Sequence, residues 1–363
     1  MSQTAYLVLE NGMIFEGSYF GAEREVTGEI VFTTGMTGYL ETLTDPSYYG
    51  QIVLQTFPLI GNYGVIPADF ESSSVKASAY IVKHWCQEPS NFRSDGDLDT
   101  FFKQHDIVGL SGIDTRALTR VIRENGVMNG KITSSLPAKI DFSELCAYKV
   151  TNAVKSVSRT ELTHEPATNP KYRVALFDFG LKENIHRELL QRGCEVFILP
   201  YNSSAKDVLE LNVDGIMLSN GPGDPIENTE VINNLKEITK LNIPIFGICL
   251  GHQLLALAHD FQTEKLKYGH RGANQPVKHI PSGRVYITSQ NHGYAVVSAS
   301  IDSQIAEQLF YNVNDKTCEG IIYKNTSIFS VQFHPEACGG PLDTAFLFDT
   351  FIENMEGQKN AIK

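Results

Sequence analysis

Positive charge is scarce in this 363-residue chain: 30 lysines and arginines stand against 42 aspartates and glutamates, a formal net charge of -12. Nucleic-acid backbones are bound by clustered basic side chains, which are not found here, so a general nucleic-acid binder is excluded. The acid excess serves solubility instead. No CxxC spacing occurs. The six cysteines, Cys86, Cys146, Cys194, Cys249, Cys318 and Cys338, are scattered, which suggests neither a zinc cluster nor a disulfide framework and fits a reducing cytosol. No metal site is expected. No apolar run approaches the roughly 20 residues of a membrane span, and residues 1–10 lack the basic start of an export signal. The expectation is a soluble, cytoplasmic protein that makes no membrane contact. A GxxxxGK[ST] phosphate loop is also missing, as are internal repeats and low-complexity segments.

A length of 363 residues with 42% hydrophobic composition supports two buried cores. A polar stretch with two prolines near residues 151–170 reads as a linker between a domain at 1–150 and another at 171–363. In the second half, strands expected at 173–178, 196–199, 215–218 and 244–248 alternate with helices at 182–192, 205–211, 227–240 and 250–259. Such βα alternation predicts an α/β domain with a mostly parallel sheet, whose ligands bind at the strand carboxyl ends. Residues 263–336 turn more β-like, and 343–355 forms an amphipathic closing helix. The first half is β-rich, with short strands at 6–9 and 29–33 and one late helix near 114–124, an N-terminal β-rich α/β domain.

The sharpest local feature is Gly247-Ile-Cys-Leu-Gly251. An apolar strand stops at a glycine-flanked cysteine and a helical pattern begins at once, the thiol counterpart of a nucleophile elbow, where bulky neighbours would clash. The first turn of the following helix has unpaired N–H groups and the positive dipole end, which favour a thiolate at Cys249. In Val331-Gln-Phe-His-Pro-Glu336, a strand would put His334 and Glu336 on one face, as base and orienter, although Pro335 interrupts a regular ladder. The loop Asn220-Gly-Pro-Gly-Asp224 allows close backbone approach and suits an oxyanion hole, with the Leu250 N–H as second donor. Ser289-Gln-Asn-His-Gly-Tyr294 is a further polar turn able to offer groups to an amino acid's charged ends. Each motif also has a plain reading: a buried small cysteine, a satisfied histidine, tight turns. The elbow context favours chemistry.

Together, Gly-Ile-Cys-Leu-Gly-His-Gln, the NGPGDP loop and FHPE resemble the class I, or triad, glutamine amidotransferases, over residues 172–355. Thr34-Gly-Met-Thr-Gly-Tyr39, Thr44-Asp-Pro-Ser-Tyr48, Gly61-Asn-Tyr-Gly64, Gly112-Ile-Asp-Thr-Arg-Ala-Leu-Thr-Arg120 and Gly269-His-Arg-Gly-Ala-Asn-Gln-Pro276 resemble, within that superfamily, the small-subunit family of carbamoyl phosphate synthetase. The resemblance implies a flavodoxin-like second domain and a first domain that contacts a large subunit. It implies a Cys249–His334–Glu336 triad hydrolysing L-glutamine, which is held by Ser47, Gly221, Gly223, Leu250, Gln253, Asn291, Gly293 and Tyr294. Position 294 is often Phe in the family. It further implies no cofactor in this chain, with ATP and metal ions on the large synthetase subunit, and carbamoyl phosphate destined for arginine and pyrimidine synthesis. Two rival readings are a non-catalytic glutamine-binding or ammonia-gating subunit, and an independent cysteine hydrolase. An occupied triad argues against the first, and the second leaves the first half unexplained.

Overall fold

The computed structural model describes residues 3–136 and 142–361. The chain divides into two compact units, residues 1–153 and 154–363.

In the first unit, strands β1 (Thr4–Leu9), β2 (Ile14–Gly21), β3 (Val26–Thr33), β4 (Gln51–Gln55), β6 (Ala79–Ile81), β8 (Val108–Ser111) and β9 (Met128–Thr133) close into a barrel in the order β1-β2-β8-β6-β4-β3-β9. Two short strands, β5 (Leu59–Ile60) and β7 (His84–Trp85), pair separately. Alternation along the barrel strands sends neighbours to opposite faces. Ile30, Phe32, Ile52, Leu54, Ala79 and Ile81 pack with Leu118 and Ile122 in one core; Val31, Val53 and Tyr80 pack with Phe101 and Phe102 in another. The helix expected near 114–124 is Thr115–Asn125. Asp114 caps it by accepting the Ala117 N–H at 2.9 Å, and Gly126 ends it at φ 97°.

The second unit holds, among the described residues, a ten-stranded sheet: β10 (Thr163–Glu165), β11 (Tyr172–Asp178), β12 (Cys194–Pro200), β13 (Gly215–Leu218), β14 (Ile245–Ile248), β15 (Thr263–His279), β16 (Val285–Val296), β17 (Ala306–Asn312), β18 (Cys318–Tyr323) and β19 (Ile328–Val331). The order is β10-β12-β11-β13-β14-β19-β18-β17-β15-β16. Strands β12, β11, β13, β14 and β19 are mutually parallel, and antiparallel pairing extends the sheet through β18, β17, β15 and β16. Chain order reverses between β11 and β13, the kind of switch point beside which such sheets bind ligands. Both faces are covered. Ala175, Phe177 and Ile216 join one core with Leu254 and Leu255 of helix Leu250–Ala258. Val174, Leu176, Met217 and Phe246 join the other with Phe348, Phe351 and Met355 of the closing helix, Phe346–Ala361.

Three boundaries differ from expectation. The stretch read as a linker is structured from Ala153 on. Val154 is 2% exposed, and Thr163–Glu165 adds an antiparallel edge strand to β12 because its polar residues leave the backbone N–H and C=O groups able to join that open edge. The closing helix starts at Phe346, after the turn at Asp343. The strand drawn through His334 and Glu336 ends at Val331; His334 makes only an isolated bridge with Ser289, and Pro335 has no N–H to extend a ladder. No helix among the described residues is long and apolar enough to cross a membrane.

Phe246 is fully buried, stacked on Phe329 at 4.4 Å between ring centroids and edge-on to Phe348 at 5.6 Å. Phe246→Ala removes that ring from the sheet centre and is expected to destabilise the second unit by about 3–5 kcal/mol, read as a lowered denaturation midpoint with unchanged slope.

Candidate active site

Strand β14 delivers Cys249 into a backbone conformation that an L-residue rarely adopts, φ 52° and ψ −103°, as the residue capping helix Leu250–Ala258. Such a conformation costs of order 1–3 kcal/mol and persists only where the surroundings fix it. Here the Cys249 N–H donates to the Val331 carbonyl at 2.9 Å, and the Gly251 N–H to the Ser219 carbonyl at 3.0 Å, tying the turn to both neighbouring strands. The flanking positions leave little room for a side chain. A Cβ on Gly251 would lie 2.5 Å from the Leu218 carbonyl, and one on Gly247 would lie 2.9 Å from Leu255. Cys249 is buried, with its sulfur 3.8 Å from the Asn291 carbonyl.

His334 is anchored by its N–H to the Ser289 carbonyl at 2.9 Å. Its Nδ1 meets Glu336 Oε1 at 2.7 Å, so base and orienter are paired although no strand carries them. With Nδ1 occupied, Nε2 is left for the sulfur, and Cys249 favours the protonated ring. Nε2 makes no aligned hydrogen bond, as is usual for catalytic pairs before substrate draws them together. Burial and the Lys182 ammonium oppose a positive charge on His334. The Glu336 carboxylate and the Cys249 sulfur outweigh them, and the imidazole is held well above its ordinary range. Glu336 moves the other way: burial favours its neutral form, but Lys182 and His334 keep it ionised, well below the usual carboxylate range.

Lys182, which no sequence motif singled out, joins the His334–Glu336 pair. It is buried, its Nζ donates to Glu336 Oε1 at 2.9 Å, and its N–H donates to Asn220 Oδ1 at 3.0 Å. It follows the carboxyl end of β11, so a third strand-end loop beside those after β13 and β14 was the available signal.

The remaining expected residues take varied positions. Gly221 packs so closely that a Cβ would fall 2.2 Å from the Phe179 carbonyl and 2.7 Å from the Leu250 side chain, which sets the Asn220–Asp224 loop against the elbow. Gly223 has φ 87°, a turn requirement. The Leu250 N–H lies in the first helical turn, where no intrahelical acceptor exists. Gln253 does not offer its amide nitrogen to the site: Nε2 donates to the Tyr294 carbonyl at 2.8 Å and to Gln332 Oε1 at 2.9 Å. Residues 291–294 run along β16, with Gly293 beside the buried Arg271 guanidinium. Ser47 belongs to the first unit, in the short turn Pro46–Tyr48, its N–H donating to Asp45 Oδ1 at 2.9 Å.

Comparison with known proteins agrees with both units. Residues 7–132 match the carbamoyl-phosphate synthase small chain, CPSase domain, and residues 175–354 match the class-I glutamine amidotransferase domain. The chain is 49% identical over 356 residues to a carbamoyl phosphate synthase small chain of Clostridium perfringens, covering 96% of this chain and 99% of that one. It is 50% identical over 357 residues to the small chain of Bacillus thuringiensis subsp. konkukian, covering 97% and 96%. Against a pyrimidine-specific small chain of Halalkalibacterium halodurans it is 48% identical over 359 residues, 98% of each. With a strained cysteine elbow, an imidazole–carboxylate pair beside it and similarity along almost its full length, the chain belongs to the carbamoyl phosphate synthase small chain family.

Proposed function

We propose that this chain is the glutaminase subunit of a carbamoyl phosphate synthetase. Cys249 Sγ attacks the side-chain carboxamide carbon of L-glutamine while His334 takes the thiol proton. The proton then passes to the leaving nitrogen, the C–N bond breaks, and ammonia departs from a γ-glutamyl thioester. Water, deprotonated by His334, attacks the thioester and releases glutamate. The N–H groups of the Asn220–Asp224 loop and of Leu250 stabilise the oxyanion, each such donor being typically worth about 3 kcal/mol. Glu336 holds the imidazole tautomer, and Lys182 keeps Glu336 charged. Glutamine is held by Gly221, Gly223, Asn291, Gly293 and Tyr294, with Gln253 fixing the Tyr294 carbonyl rather than touching substrate through its nitrogen.

Ammonia in bulk water protonates and loses its nucleophilic lone pair, so the chemistry requires delivery along a shielded path to a large synthetase subunit. That partner carries ATP, metal ions and bicarbonate. The assembly works in the cytoplasm and supplies arginine and pyrimidine synthesis. The observation that carries the reading is the strained Cys249 turn beside a His334–Glu336 pair held at 2.7 Å; a passive glutamine-binding module has no use for either.

Replacing Cys249 with Ser is expected to lower glutamine-dependent carbamoyl phosphate synthesis by about a thousandfold or more, while synthesis from added ammonium in the reconstituted complex persists. Undiminished glutaminase in that variant overturns the reading. Glu336→Gln removes one of the charges that raise His334, so the imidazolium loses its proton at lower pH. The alkaline limb of the kcat/KM profile for glutamine is expected to move toward acid, with a rate loss of about a hundredfold or more.

A further inference from the structure

Behind the strand that carries Asn291, Gly293 and Tyr294, the side chains of His270 (β15), His292 (β16) and Glu319 (β18) converge. All three are buried, and one donor atom from each lies within 4.8 Å of the others. The outer nitrogens of both imidazoles are occupied. His270 Nε2 meets Asp315 Oδ2 at 2.7 Å, and Asp315 is itself oriented by the Thr317 N–H. His292 Nδ1 donates to the Tyr294 carbonyl at 2.8 Å. A carboxylate or a backbone carbonyl on the far ring nitrogen is the arrangement that fixes a metal-binding histidine with its lone pair facing inward.

On the inward side Glu319 accepts from Gln290 Nε2 at 3.0 Å and Asn312 Nδ2 at 3.3 Å, while the two imidazoles face acceptors. His270 Nδ1 has no hydrogen-bond partner, although the residue is only 8% exposed, and it points at Glu319 Oε1 from 3.4 Å. His292 Nε2 faces Gln290 Oε1 at 3.1 Å, because the Gln290 nitrogen is directed to Thr288 and to Glu319 Oε2. With the Nδ1 hydrogen given to the Tyr294 carbonyl, Nε2 sets its lone pair against the Gln290 oxygen. A cation among them resolves the conflict, and ligands on a tetrahedral ion with bonds of about 2.1 Å stand about 3.4 Å apart.

We propose that His270 Nδ1, His292 Nε2 and Glu319 form a binding site for a divalent cation of the zinc class, with Gln290 Oε1 as the adjacent fourth oxygen. Two imidazoles and a carboxylate suit that ion. Bound there, it joins β15, β16 and β18 behind residues 291–294. The proposal stands apart from the glutaminase reading.

The test uses the full chain with Cys249→Ser, so that the active-site sulfur binds no metal, titrated with Zn2+ and, separately, with Co2+. One equivalent of Zn2+ is expected, together with the intense visible absorption of tetrahedral Co2+ and no sulfur-to-cobalt band. Adding Glu319→Gln, or His270→Asn, is expected to weaken uptake by about tenfold or more and to remove the rise in unfolding temperature that Zn2+ gives the parent. No uptake at micromolar Zn2+, a sulfur-to-cobalt band, or uptake unchanged by both substitutions overturns the proposal. Should neither variant fold, the Co2+ spectrum of the parent decides.

Discussion

The turn at Cys249 is the constraint on which the second unit's chemistry depends. A β-strand that ends in ordinary geometry would point its last side chain into one of the two cores flanking the sheet. The positive φ of Cys249 turns the sulfur out of that alternation, toward the Asn291 carbonyl and the His334 ring. The conformation survives because the packing permits no other. Glycines at 247 and 251 let the helix lie against β13, and hydrogen bonds to Val331 and Ser219 fasten the turn from both sides. The strain is offset by the fully buried strands around it.

Charge is organised around the same point. A buried cation, a buried carboxylate, an imidazole and a thiol follow one another as Lys182, Glu336, His334 and Cys249. An isolated charge in such surroundings would be neutralised, but the neighbouring opposite charges keep Glu336 ionised and favour a protonated His334. The three loops that bring them together leave the carboxyl ends of β11, β14 and β19, which are central strands of the parallel region. The antiparallel extension contributes backbone rather than charge. Strand β16 brings the Asn291–Tyr294 main chain up to the thiol, and Gln253 and His292 fix it through the Tyr294 carbonyl, with Gln332 accepting from Gln253.

How much was legible follows the range of the interactions. Hydrophobic period, the glycines at 247 and 251 and the Asp114 cap are local, and they placed β11, β12, β13 and β14, the elbow and the first unit's late helix within a residue or two. Residues 151–170 misled because an edge strand needs only backbone groups and a partner, so Thr163–Glu165 carries no apolar signature. His334 and Glu336 meet at 2.7 Å, but a loop and not the expected strand sets that contact. Gln253 faces the expected region, yet two long-range acceptors take up its amide nitrogen.

Alone, the order of residues determined which side chains are chemically able to act and where the backbone turns sharply, because steric rules for glycine, proline and alternation operate over a few residues. Only the tertiary structure decided which of those groups meet. Lys182 and Glu336 are far apart along the chain but adjacent in the fold, as are His270 and Glu319, and no local pattern encodes such pairs. Their proximity comes from strand order and register, which the whole unit selects when it buries both faces of its sheet.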